Sequence, residues 1–108
     1  MSDFTPADRA AARLLRGRII RTLHRAPNLD QAVLHVTVCG GPRDAGYLEM
    51  KEFAAQLRYL EDASYLAHSE KTDPLEPIKT RNFWKLTRQG TDLFEGVLDA
   101  DPGIEIPR

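Results

Sequence analysis

The clearest alternation of apolar and polar positions lies between Leu48 and Leu66. Met50, Phe53, Leu57 and Leu60 recur at spacings of 3, 4 and 3, which places them on one side of a helix, with Ala54 at the border. Glu49, Lys51, Glu52, Gln56, Arg58 and Asp62 point elsewhere. The spacing breaks after Asp62, so the pattern predicts a helix from about Glu49 to Ala63. Tyr65 to Glu70 then reads as a strand, and Thr72 to Pro77 as a loop whose two prolines prevent regular pairing. Lys79 to Leu86 reads as the returning strand of a hairpin with a long tip. Phe83 and Trp84 fall on opposite sides of it, one towards the core and one outward beside Arg81 and Lys85.

Upstream, residues 1–4 are expected to be loose. Thr5 suits an N-cap, Pro6 the first helical position, and Asp8 the positive helix end, predicting a helix over Pro6 to Arg25. Ala12, Leu15, Ile19 and Leu23 form its core face, with Ile20 at the edge. Arg18, Arg21 and Arg25 gather on the opposite face, and Arg9, Arg13 and Arg16 form a second strip. Pro27 and Asn28 end the helix. Leu29 to Cys39 is rich in β-branched residues, so it reads as a strand, yet Asp30 could equally cap a short buried helix; periodicity does not separate the two. Gly40 to Gly46 is a turn segment without a phosphate-binding glycine pattern, and Tyr47 with Leu48 is expected to form a short first strand. Near the end, Thr87 caps a last helix carrying Leu93, Phe94 and Val97. Gly90, three residues after the cap, sits where a side chain would crowd the turn. Residues 99–108 form an extended tail, either loose or laid on another surface.

Two stretches resemble those of winged-helix proteins. LRYLEDASYL, at 57–66, is similar to the end of the third helix in many MarR- and ArsR-like regulators, and WKLTRQG, at 84–90, to the end of their wing. The closing DPGIEIP and the chain length resemble small winged-helix proteins of Mu-like phages and prophages. The resemblance implies a mainly α fold with a small β-hairpin, a winged helix-turn-helix ordered helix, helix, short strand, helix, hairpin, helix. That order selects helix for Leu29 to Cys39. Ser64 stands where such regulators often carry glycine at a left-handed helix end. A serine there would cost about 1 kcal/mol, so the turn is expected to use another geometry.

At 108 residues the chain is expected to form a single domain, 1–108, with 99–108 as its tail. No apolar run approaches the roughly 18 residues of a membrane span, and the N-terminus has no signal core, so a cytoplasmic protein with no membrane partner is expected. Cys39, the one cysteine, reads as a small buried hydrophobe. His24, His35 and His68 fall in three different elements, and His35 reads as a core residue. HExxH, GxSxG and CxxC are absent, and Glu61 and Asp62, being adjacent on a helix, point apart. No enzyme, metal or cofactor is expected.

Charge carries the functional reading. The net charge is −1, but its distribution is uneven: Lys71 to Arg88 holds five bases against two acids, while Asp30 to Asp62 holds six acids against three bases. The winged-helix resemblance implies binding to double-stranded DNA by a small phage or prophage transcriptional regulator. Lys51, Gln56, Arg58 and Tyr59 would act from the third helix, and Lys79 and Arg81 from the wing. Glu49, Glu52, Glu61 and Asp62 on the same helix oppose phosphate contact. They favour the alternative, a protein-interaction module without intrinsic DNA binding. The terminal helices and the tail point to a homodimer.

Overall fold

The computed structural model describes residues 6–107. It is a small α/β protein of four helices and one three-stranded antiparallel sheet: α1 (Pro6–Arg25), β1 (Leu29–Asp30), α2 (Gln31–Cys39), α3 (Met50–Asp62), β2 (Leu66–Thr72), β3 (Thr80–Leu86) and α4 (Arg88–Glu95). This is compatible with a winged helix. The expected cap at Thr5 and the expected looseness of residues 1–4 lie outside the described residues.

The core forms where the apolar stripes of the helices meet the inner face of the sheet. Ile19, Ile20 and Leu23 of α1, Leu34 of α2 and Phe53, Leu57 and Leu60 of α3 are all buried there, with Trp84 and Leu66 from the sheet. α2 is a helix, as the order of elements around it required. Asp30 caps it by accepting from the Ala32 amide at 2.8 Å. His35 is a core histidine: its Nε2 donates to the Leu48 carbonyl at 2.6 Å, and its ring leans on Tyr47 and Phe53. Cys39 is buried, and desolvation pushes its thiol up, partly offset by the Leu48 amide.

The expected first strand and the expected turn at Ser64 are both corrected. The short first strand is Leu29–Asp30, paired with Trp84 and Phe83, and so precedes the second helix. Tyr47 and Leu48 form no ladder, because the Leu48 carbonyl is taken by His35 and the chain then turns directly into the Glu49–Glu52 capping box of α3. At the other end of α3, Ser64 does adopt the left-handed conformation, with φ 70°. The Ser64 amide donates to Glu61 and the Tyr65 amide to Leu60 (both 2.9 Å), a Schellman closure that uses the last free carbonyls of the helix. The Ser64 carbonyl in turn accepts from Thr87 Oγ1 at 2.5 Å. That tether, added to the closure, offsets the strain of the serine.

Thr87 caps α4 through the Gly90 amide, and a Cβ at Gly90 would run into the Tyr65 carbonyl. Val97 does not belong to α4: the helix stops at Glu95 because Gly96 turns left-handed, and Val97 stands 70% exposed. The tail is laid on the chain's own surface. Ile104 is buried, the Glu105 amide donates to the Arg13 carbonyl at 3.0 Å, and Tyr65 Oη donates to Asp101 Oδ2 at 2.7 Å. Burial first, and then the Asp101 carboxylate, push the Tyr65 phenol up to about 12.

Candidate nucleic-acid interface

The hairpin register decides which cations meet. Lys71 lies opposite Arg81, Ser69 opposite Phe83, and Ala67 opposite Lys85. Directly paired residues share a face. The intervening pairs, Leu66 with Leu86 and His68 with Trp84, carry the buried Trp84 and so face the core. The outer face therefore carries Lys71, Arg81 and Lys85 together with the half-buried ring of Phe83. Lys71 Nζ stands 4.8 Å from the ring centroid and the Arg81 guanidinium 5.5 Å. An acid reaches this face as well: Asp30, brought alongside Phe83 by β1, accepts from Arg81 Nε at 2.9 Å. Burial raises the Asp30 carboxyl, but the Ala32 amide and the Arg81 guanidinium outweigh it and hold the group below its ordinary range.

The four α3 residues named from the sequence divide into two pairs. Lys51 and Arg58 share an exposed ridge with Ala55 and Asp62, opposite the buried Phe53, Leu57 and Leu60. Gln56 and Tyr59 turn towards α1 and the tail. Gln56 Oε1 accepts from Arg16 Nε at 2.8 Å, the same guanidinium covers the Tyr59 ring at 3.6 Å, and its Nη1 donates to the Gly103 carbonyl at 3.1 Å. Arg16 thus shares one side of α1 with Arg9 and Arg13, as expected, and there acts as a tether between helices and tail. Of the two wing residues, Lys79 pairs with Glu76 at 2.7 Å and Arg81 with Asp30. Among the described residues, no carboxylate forms an ion pair with Lys51, Arg58, Lys71 or Lys85.

No family model, curated protein or solved structure matches this chain. The site's own chemistry is the guide. Four cations without an ion pair, on two surfaces, suit phosphate oxygens, and a half-buried aromatic ring beside one of them, Lys71, suits a base or sugar face. Among the described residues no group of histidine, cysteine and carboxylate side chains is arranged to hold a metal, and no helix is long and apolar enough to cross a membrane.

Lys71 was legible only as a base near the tip. Its place beside Phe83 depends on the strand register, which the two-proline loop conceals. The tether at Arg16 had a signal in the chain: Gly17, in the middle of a 20-residue helix, costs about 1 kcal/mol against alanine and marks a close approach. Here it admits the Glu105 carbonyl.

Proposed function

We propose that this chain is a winged-helix protein that binds duplex DNA, as a small regulator of the phage and prophage kind. The observation that supports it best is the outer hairpin face, where Lys71 and Arg81 stand over Phe83 and Lys85 shares their side of the sheet. The Lys51 and Arg58 ridge of α3 adds two further cations. Gln56 and Tyr59 contribute less to the reading, since both already serve Arg16. Binding would be carried by phosphate contacts and would weaken with salt.

The test is the double charge reversal Lys71→Glu with Lys85→Glu, both at exposed positions outside the core. Its affinity for a random-sequence duplex at low salt should fall at least about tenfold, with the salt slope shallower by about two. Affinity equal to that of the unaltered protein would remove the hairpin from the interface. A second reading, a protein-interaction module, is favoured by the exposed aliphatic residues Val33 and Val36 on α2 and Leu75 and Ile78 at the hairpin tip. It predicts capture of a protein partner after nuclease treatment.

A further inference from the structure

Phe83 lies on the central strand of the sheet, with β1 on one side and β2 on the other. The strand is held from behind. The next residue, Trp84, is buried, donates from Nε1 to Gln31 Oε1 at 2.9 Å, and stacks on His68 with 4.6 Å between ring centroids. An aromatic ring anchored at this point of a sheet has little freedom to lose when a flat partner settles on it.

The neighbours of the ring on the outer face are of two kinds. On the β2 side they are short: Ser69 lies directly opposite Phe83 and Ala67 diagonally from it, and neither is tall enough to cover a ring. Along the strand they are cationic. The Lys71–Arg81 pair stands on the tip side of Phe83, and Lys85 lies two residues away in the other direction. Arg81 and Lys85, four residues apart on β3, are separated by about 13 Å along the strand. Asp30, beside the ring, is already engaged by Arg81 and by the Ala32 amide, whereas among the described residues neither Lys71 nor Lys85 has an ion pair. A flat apolar surface with a cation towards each end is complementary to a nucleotide, its base on the ring and a phosphate to either side. Within an intact duplex the base faces are covered by their stacked neighbours, so a base that lies flat on Phe83 must be unpaired.

We propose that the outer hairpin face is a stacking platform for an unpaired base of single-stranded DNA, with Phe83 beneath the base and Lys71 and Lys85 on the phosphates to either side. The inference rests on the reading of this face as a nucleic-acid surface and narrows its ligand: a duplex that carries a single-stranded extension is preferred over a blunt one.

The test is fluorescence anisotropy of the full chain at low salt with three DNAs: a blunt duplex, the same duplex with a short thymidine overhang, and the same duplex with an abasic overhang of equal length. The two overhangs carry equal phosphate charge and differ only in their bases. The thymidine overhang should bind at least about fivefold tighter than the abasic one, the lower end of what one base stacked on an aromatic ring contributes. Phe83→Leu removes the π face, and Ser69→Leu raises a side chain beside the ring from an exposed position. Both should make the two overhangs equal, with melting curves to verify folding. Phe83→Trp should keep the preference, and its added indole fluorescence should be quenched by the thymidine overhang and not by the abasic one. Equal overhangs in the unaltered chain would overturn the proposal, as would a preference that survives either leucine variant or an unquenched Phe83→Trp. If the blunt duplex is still bound in that event, the duplex reading stands alone. A thymidine preference without blunt-duplex binding would uphold the platform and end the duplex reading, and binding of none of the three would overturn both.

Discussion

Replacing Gly17 with alanine sets two effects of opposite sign against each other. In the interior of α1, alanine is favoured over glycine by about 1 kcal/mol. The new Cβ, however, would occupy the place of the Glu105 carbonyl, and relieving that overlap lifts the tail from α1. Lifting it exposes Ile104, now 7% exposed, at about 1.5–3 kcal/mol. The Glu105-to-Arg13 and Arg16-to-Gly103 hydrogen bonds go with it, at about 1 kcal/mol each. The net loss is about 2–4 kcal/mol, which for a domain of this size lowers Tm by roughly 10 °C or more. A chain ending at Asp99 lacks the obstruction, so in it the same substitution should raise Tm by a few degrees. Thermal unfolding followed by circular dichroism compares the four proteins. If Gly17→Ala raised Tm equally in the full and shortened chains, the tail would not lie on α1.

Other consequences are simpler. Tyr65 has its folded pKa raised to about 12, so its contribution to stability is present below the ordinary tyrosine range and is lost as pH climbs through about 10 to 12. A phenolate absorbance titration should show a late-ionising tyrosine that vanishes in Tyr65→Phe. Ser64→Gly removes the strain at φ 70° and should stabilise by about 0.5–1 kcal/mol, seen as a higher midpoint in urea; an unchanged or lower midpoint would mean the serine is unstrained. Asp30→Ala removes the α2 cap and the Arg81 partner and should cost about 1–2 kcal/mol near neutral pH. Because the Asp30 pKa is lowered, that difference should shrink as pH falls through the carboxylate range, which paired melts at neutral and acid pH would reveal.

Where the chain carries local chemistry, the fold was readable in advance. α1 follows its proline start and its arginine-rich outer side, α4 follows the Thr87 cap, and Gly90 announces the contact with the Tyr65 carbonyl. What stayed hidden depends on distant partners. A two-residue strand has no periodicity of its own, so Leu29–Asp30 becomes a strand only because β3 offers it Trp84 and Phe83. Ser64 keeps its left-handed angle because Thr87, 23 positions later, holds its carbonyl. Among the candidate site residues, Lys51 and Arg58 could be placed on a common ridge from spacing alone. Gln56 and Tyr59 differ from them by less than a quarter turn to a half turn of helix, enough to bring them under Arg16. That distinction is invisible until α1 and the tail are packed beside α3.

Duplex binding of the unaltered protein as a function of salt tests the central claim most directly. The basic hairpin face and the α3 ridge predict measurable binding at low salt, with log K falling linearly against log salt at a slope of about −3 to −4, as four or so phosphate contacts require. No binding at low salt, or binding with a slope near zero, would contradict the DNA-binding account.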